Sequence, residues 1–220
     1  MRMSFDRSHV FKANGIWELP FGPGKRVGGS WHGFLAHLIG GWQTGSIVTV
    51  QTGAPISFGA VGAFNTAGNN TPVPVGPLDN SLGEVLRTGN GVVYFNGLKQ
   101  VVDPYVAQIT DVNLIRGRSS MLAVTDSSGN IMFRNPEPGQ LGMAPRFFTG
   151  PGSFQFDLNI LKRFKFRERY EFNIRADAIN ALNKANFSNP DTNINSLNFG
   201  NITGTSTDPR IVVLSARFTF

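Results

Sequence analysis

The 220-residue chain contains no cysteine, which excludes disulfide bonds, thiolate metal sites and cysteine nucleophiles. It also lacks any run of about 18 apolar residues, so no transmembrane helix is predicted. The nearest candidate, Trp31 to Trp42, is too short and includes His32 and His37. Glutamate and lysine are sparse, whereas glycine (26), proline (13) and asparagine are abundant. This composition argues against a helical protein and favours strands joined by turns and long loops.

Negative charge is in deficit, which leaves a net charge of +6 and raises the question of nucleic acid as a partner. The densest basic run, residues 162–169, falls at a predicted hairpin turn. Basic side chains at such a turn solvate it or meet anionic lipid headgroups. Because no recognised nucleic-acid-binding module is present, we predict no nucleic acid partner.

The last eleven residues are the most informative part of the sequence, because they alternate strictly and end on an aromatic residue. A half-buried strand of a soluble protein alternates in the same way. Soluble chains, however, rarely end on such residues, because termini usually fray and are polar. Apolar-out, polar-in alternation is typical of a transmembrane β-barrel strand. The residues that share the apolar face are Val212, Leu214, Ala216, Phe218 and Phe220.

Four further segments alternate and are predicted as strands, at about residues 9–19, 42–52, 153–166 and 170–178. Lys162 breaks the apolar parity of the third, and we expect it to snorkel at a membrane edge. The opposite faces mix charges and amides, which suits the hydrated lumen of a barrel. These polar residues include Asp157, Asn159, Asn173, Arg175, Asp177 and Arg217.

The third and fourth strands both place even-numbered residues on the apolar face. Along an antiparallel pair, the residue numbers of any two opposite residues add up to the same total. Because both strands place even-numbered residues on the same face, this total must be even. The turn therefore holds an odd number of residues, most simply Arg167, Glu168 and Arg169, with Phe166 opposite Tyr170. A two-residue turn would pair Phe166 with Arg169 and reverse the faces.

The connections alternate in length, as in outer-membrane barrels with short periplasmic turns and long outer loops. Residues 54–152 and 183–209 form the two long connections, which we assign to the extracellular side. Residues 167–169 form a tiny turn and residues 20–41 a moderate one. The sequence thus predicts an all-β fold, an antiparallel meander of about five strands with a long extracellular loop, belonging to a transmembrane β-barrel.

Motifs for catalysis and metal binding are incomplete. The Gly24-Lys25 pair is not part of a phosphate-binding loop. Such a loop would need a glycine where Leu19 stands and a Ser or Thr where Arg26 stands. The nucleophile elbow is excluded because His32 replaces a required glycine. His32 and His37 are five residues apart with His9 remote, which favours interfacial or loop histidines over a metal site. We predict no catalytic residue, metal or cofactor, and assign no ligand-binding residues.

Three carboxylates could be imagined as acid–base groups, but we interpret them as lumen residues partnered by arginines. They are Asp157, Glu171 and Asp177, with Arg175 and Arg217 as the partners. Aromatic residues scattered in the long loop either line a ligand surface or form a small core, and we favour the core because so long a connection must order itself. These aromatics are Phe58, Phe64, Tyr94, Phe95, Tyr105, Phe133, Phe147 and Phe148.

A series of short motifs resembles the C-terminal barrel of Oar-like TonB-dependent outer-membrane receptors. The motifs occur in a spaced order that covers nearly the whole chain, ending at Phe220. They are IWELPFGPGK at residues 16–25, GGWQ at 40–43, QTGAP at 51–55, NPEPG at 135–139, GPG at 150–152 and AINALNKANF at 178–187.

The resemblance implies a barrel of about 22 strands, preceded by a plug and a carboxypeptidase-regulatory-like domain. Residues 1–220 would be its last five strands, with the plug domain absent. Such receptors import an extracellular substrate, powered by TonB, which would act through the missing N-terminal part. The terminal strand resembles the signal read by the barrel-assembly machinery, so Val212, Leu214, Ala216, Phe218 and Phe220 are its predicted residues. Outer-membrane lipid is the remaining partner.

Alternatives remain at this stage. A barrel must be exported, yet residues 1–6 show no apolar core of a signal peptide, so either the native N-terminus lies upstream or the membrane interpretation is wrong. The chain could instead belong to a passive adhesin or structural surface protein without energy coupling. A soluble, secreted all-β binding module is a third hypothesis. An enzyme is the least favoured, because no catalytic constellation emerges.

Overall fold

The computed structural model describes residues 3, 5–60, 71–76, 82–110, 121–137, 140, 142, 148–166 and 170–220. The chain forms two compact units. The sheet unit comprises His9–Gln51, Ser153–Asn186 and Thr205–Phe220, and the loop unit comprises Met1–Ser8, Thr52–Gly152 and Phe187–Gly204.

Strands dominate both units. In chain order the elements are β1 (Val10–Glu18), helix α1 (Phe34–Ile39), β2 (Trp42–Gln51), β3 (Pro55–Ile56), β4 (Val73–Pro74), β5 (Leu86–Thr88), β6 (Gly91–Val93), β7 (Lys99–Val102), a short 3₁₀ helix (Pro104–Gln108), β8 (Leu122–Thr125), β9 (Ile131–Arg134), β10 (Phe148–Thr149), β11 (Ser153–Phe166), β12 (Tyr170–Ile179), β13 (Asn201–Ile202) and β14 (Ile211–Thr219).

The sheet unit is built on one five-stranded sheet in the order β1-β2-β11-β12-β14, with every neighbouring pair antiparallel. The predicted antiparallel meander is therefore confirmed, and each predicted strand boundary lies within one residue of the observed one. The agreement follows from strict two-residue alternation ended by Gly and Pro breakers, which is the strongest local signal of a strand.

The predicted register between β11 and β12 is also confirmed, because Phe166 lies opposite Tyr170. The three turn residues themselves, 167–169, lie outside the described residues. The other pairs keep the same parity: Phe11 lies opposite Val50, which lies opposite Phe154. Odd-numbered residues of β1 and even-numbered residues of the other four strands therefore share one face. We call it the apolar face and its opposite the polar face.

Helix α1 was not predicted from the sequence. It lies in the connection between β1 and β2 and is held there by close backbone packing. A Cβ on Gly22 would come within 2.4 Å of the Gly40 Cα, and Gly22 has a φ of 106°, so the contact requires glycine. Gly33 begins the helix at a φ of 77°. Within the described residues, no helix is long and apolar enough to cross a membrane.

The described residues of the loop unit form three small sheets, in the orders β13-β6-β5, β4-β9-β8-β7 and β10-β3. Its centre is a cluster of aromatic rings around Phe58, which is 1% exposed. The rings of Phe95, Phe133 and Phe148 lie 4.6–4.9 Å from it, centroid to centroid. The predicted loop core is thereby confirmed for these residues and for buried Tyr94, whereas Phe64 and Phe147 lie outside the described residues.

Candidate functional site

The apolar face of the sheet unit carries exposed hydrophobic side chains across all five strands. Leu214 is 75% exposed, and every residue of β1 and β14 is exposed. A water-soluble sheet would cover such a surface, because exposed contiguous apolar area is unfavourable in water. The middle of this face is aliphatic and is formed by Ala13, Val48, Leu158, Ile160, Ala176 and Leu214.

Aromatic residues of the apolar face concentrate at the two ends of the sheet. We call the end with the β11–β12 turn the turn end and the opposite end the loop end. Tyr170 stacks on Phe218 at 6.1 Å, and Phe218 on Phe220 at 6.2 Å. The turn-end aromatics are Trp17, Trp42, Phe164, Phe166, Tyr170, Phe172, Phe218 and Phe220, and the loop-end aromatics are Phe11, Phe154 and Phe156.

Charges and amides line the polar face and bond mainly to each other. Arg175 forms an ion pair with Asp177 at 2.7 Å, as predicted. Glu171 accepts a hydrogen bond from the Asn173 amide at 2.7 Å instead of an arginine. Among the described residues Arg217 forms no ion pair, so its predicted role as a carboxylate partner is wrong; it lies opposite Asn173 in the register.

The lysine that breaks the apolar parity is enclosed. Lys162 is 3% exposed, and its ammonium lies 5.3 Å from the Trp42 ring centroid and 4.8 Å from that of Phe164. Its Nζ donates hydrogen bonds to the carbonyl oxygens of His37 (2.6 Å) and Gly40. These carbonyls belong to the C-terminal end of α1, where a helix leaves its acceptors unsatisfied and favours a cation. The prediction that Lys162 snorkels at the membrane edge is therefore wrong, because its ammonium caps the C-terminal end of α1.

Two buried asparagines close the loop end of the sheet. The Asn186 side chain accepts from the Phe154 N–H at 2.8 Å and donates to the Phe154 carbonyl at 2.9 Å. It thus imitates a neighbouring strand at the start of β11. Asn180, at a φ of 50°, donates to the carbonyls of Lys184 and Asp208. Both asparagines lie in the AINALNKANF motif, but the sequence predicted no role for their side chains, because their partners Phe154 and Asp208 are distant in the chain.

The loop unit carries a groove of about 520 Å³ that is lined by aliphatic and proline side chains together with Tyr105 and several charged residues. Arg134 pairs with Glu137 at 2.9 Å and lies 5.4 Å from the Tyr105 ring centroid. Asp103, which is 2% exposed, accepts from the Tyr105 backbone N–H. In the core of the loop unit, burial raises the pKa of Tyr94, whose hydroxyl donates to the Thr149 carbonyl at 2.5 Å.

A family model described as an outer membrane beta barrel domain matches residues 1–212. The chain belongs to this family of outer membrane β-barrel domains. No curated protein and no solved structure matches the chain. The barrel domain accordingly resides in the outer membrane of a Gram-negative bacterium.

Membership of the family explains the exposed apolar face of the barrel domain as its lipid-facing surface. Along β11, Phe154 and Phe164 mark the two aromatic ends, ten positions apart. At about 3.3 Å per residue and a strand tilt of about 40°, they are separated by roughly 25 Å along the membrane normal. Barrels carry an apolar band of about this height between two aromatic girdles. The polar face then lines the interior.

The residues predicted as the insertion signal lie together on β14. Val212, Leu214, Ala216 and Phe218 are on the apolar face, and Phe220 follows the strand. Their role in insertion stays a prediction. The structure does not bring the histidines together as a metal site: in the described part of the barrel domain, no group of three or more His, Asp or Glu side chains is placed to hold a metal ion.

Replacing Asn186 by alanine will destabilise the barrel domain. The substitution leaves the N–H and carbonyl of Phe154 without their side-chain partner and removes the bond to Thr207, so we expect a loss of about 2–3 kcal/mol in the free energy of unfolding. Urea unfolding in lipid vesicles measures it. Asn14→Ala, which removes an exposed amide of β1, is the control and should be nearly neutral; equal effects would contradict the role of Asn186.

Proposed function

We propose that the barrel domain is part of a TonB-dependent outer-membrane receptor that imports an unidentified extracellular substrate. The observation that carries the proposal is the loop unit: a folded, aromatic-centred structure built mainly from the connection between β2 and β11, with residues 187–204 added from the connection between β12 and β14. A barrel that only spans the membrane needs no such unit. The resemblance of motifs along the chain, from residues 16–25 to residues 178–187, supports the receptor class.

We further propose that other strands complete the barrel. β1 and β14 are the edges of the sheet, and neither has a second neighbour among the described residues. Unpaired backbone groups at a sheet edge are not tolerated in lipid, and five strands cannot enclose a lumen. The two edges would therefore pair with strands beyond this sheet.

In this proposal the loop end faces the outside and the turn end faces the periplasm, because outer-membrane barrels place long connections outside. The groove beside Tyr105 and Arg134 would then be the candidate substrate contact, since aromatic rings and guanidinium groups are frequent binding anchors. TonB would act through a plug, and the barrel-assembly machinery would read β14. No catalytic role, cofactor or nucleic acid partner is included.

The second candidate is a passive adhesin or structural surface protein. It uses the same loop unit for attachment and needs no plug. The two candidates differ in energy coupling, because only the receptor must contact TonB. The ordered series of receptor-like motifs, from residues 16–25 to residues 178–187, favours the receptor.

The test is made on the native protein purified from outer membranes. Mass spectrometry of its N-terminal peptides and retention of the purified periplasmic domain of TonB are measured together. The receptor proposal expects a plug with a TonB box, retention of the TonB domain, and loss of retention when the box is deleted. Absence of both plug and retention would overturn it in favour of the passive alternative.

A further inference from the structure

Helix α1 exposes large apolar side chains although close backbone contacts hold the connection in which it lies. Phe34 is 79% exposed and Leu38 48%, and residues four apart share one side of a helix. Ala36, which is 3% exposed, lies on the covered side. A six-residue helix is too short to be stable alone in water. Its exposed side is therefore an apolar surface that some partner should cover.

The tether to Lys162 fixes where this surface lies. Lys162 is one of the even-numbered residues of β11, which are those on the lipid-facing side. Its ammonium donates hydrogen bonds to the carbonyls of His37 and Gly40. The indole Nε1 of Trp42, a turn-end aromatic, donates to the Leu38 carbonyl at 3.1 Å. Helix α1 thus ends against the lipid-facing side of the sheet, at the level of the turn-end aromatic girdle.

The residues that hold α1 indicate its environment. Lys162 and Trp42, which bond to the end of the helix, lie opposite each other and have the parity of the lipid-facing side. Arg163, in contrast, has the interior parity, and Lys25 pairs at 2.7 Å with Glu18, which has the interior parity too. An exposed apolar helix at the level of an aromatic girdle is typical of segments that lie at the boundary of headgroups and acyl chains.

We propose that α1 is an interfacial membrane anchor, with Phe34 and Leu38 among the acyl chains at the level of the turn-end aromatic girdle. The occupant of the exposed surface is phospholipid. Its assignment to the periplasmic leaflet rests on the proposed orientation of the barrel. The anchor gives a role to the lysine that breaks the apolar pattern of β11: Lys162 holds the helix through the carbonyls that a helix end leaves unsatisfied.

The test exploits the absence of cysteine in the chain. Phe34→Cys and Leu38→Cys are spin-labelled in the native assembly, reconstituted in vesicles of phosphatidylethanolamine and phosphatidylglycerol. Collision with oxygen, which is enriched in lipid, is compared with collision with a water-soluble nickel complex. Arg26→Cys is the water-exposed control, Leu214→Cys is the deep reference, and the labelled parent protein sets the background.

We expect an oxygen-to-nickel ratio at positions 34 and 38 several-fold above that at position 26 and below that at position 214. A nickel-accessible label at position 34 would overturn the anchor. A label shielded from both reagents, with dipolar broadening between copies, would also overturn it and indicate a second copy. A water-accessible label at position 214 would contradict the assignment of the apolar face to lipid. Water-accessible labels at positions 34 and 38 alone would contradict only the anchor.

Discussion

Arginine at position 214 will strongly destabilise the barrel domain in the membrane, whereas arginine at position 213 will be tolerated. The two residues are adjacent on β14, both are apolar and both are exposed, at 75% and 48%. They differ in the face they occupy: Leu214 lies opposite Ala176 on the apolar face, and Val213 lies opposite Asp177 on the polar face. The same substitution therefore tests the assignment of the faces.

The expected magnitudes follow from the two environments. Leu214 is near the middle of β14, where an arginine in contact with hydrocarbon costs about 2–4 kcal/mol. At position 213 the guanidinium would enter a hydrated interior beside a carboxylate, and a cross-strand pair of opposite charge contributes only about 0.2–1 kcal/mol. We expect the Leu214→Arg variant to lose most of its folded, inserted population and the Val213→Arg variant to retain it.

The measurement is the free energy of unfolding in lipid vesicles, together with the inserted fraction in outer membranes. Equal losses in both variants, or a larger loss at position 213, would contradict the lipid-facing assignment. A soluble β-sheet exposes both side chains to water and predicts two small effects. The pair of variants therefore also decides against the soluble alternative.

The sequence predicted the membrane strands well because their signal is local. Alternation with a period of two, interrupted by Gly and Pro, defines strand boundaries without knowledge of the partner strand. Parity then defines register, as the opposition of Phe166 and Tyr170 shows. These features depend only on residues near each other in the chain.

Features that depend on distant residues escaped prediction. Lys162 looked like an exception to the pattern, and its partners at His37 and Gly40 are 125 and 122 residues away. Asn186 appeared only within the AINALNKANF motif, where nothing indicated that its side chain completes the start of β11. Helix α1 is too short for helical periodicity to show, and it depends on a glycine contact and a distant ammonium. Each of these is a tertiary effect that overrides local propensity.

Replacing Phe58 by alanine will unfold the loop unit. Its ring contacts four others, those of Phe95, Phe133, Phe148 and Phe199, at 4.6–5.8 Å, all within the loop unit. Removing a buried phenylalanine leaves a cavity at the centre of this cluster and costs about 3–5 kcal/mol. Because domains are stable by only about 5–15 kcal/mol, this loss removes a large fraction of the stability of the unit.

Limited proteolysis of the native protein in membranes measures the effect, and Phe5→Ala is the matched control. Phe5 also belongs to the loop unit but is 76% exposed, so its loss should change stability by less than about 0.5 kcal/mol. We expect rapid cleavage between residues 52 and 152 in the Phe58→Ala variant only. Equal protease resistance in both variants would show that the aromatic cluster does not hold the unit together.

The same variant separates recognition from passage through the membrane. The ring contacts of Phe58 lie within the loop unit, so the five membrane strands should stay folded while the loop unit is cleaved. A folded barrel is recognised by the difference in gel mobility between unheated and heated samples. If the loop unit is the extracellular recognition element, as we propose, binding of an external partner will be lost although the barrel remains inserted. Retained binding with a cleaved loop unit would place recognition elsewhere and remove the observation on which the receptor proposal depends.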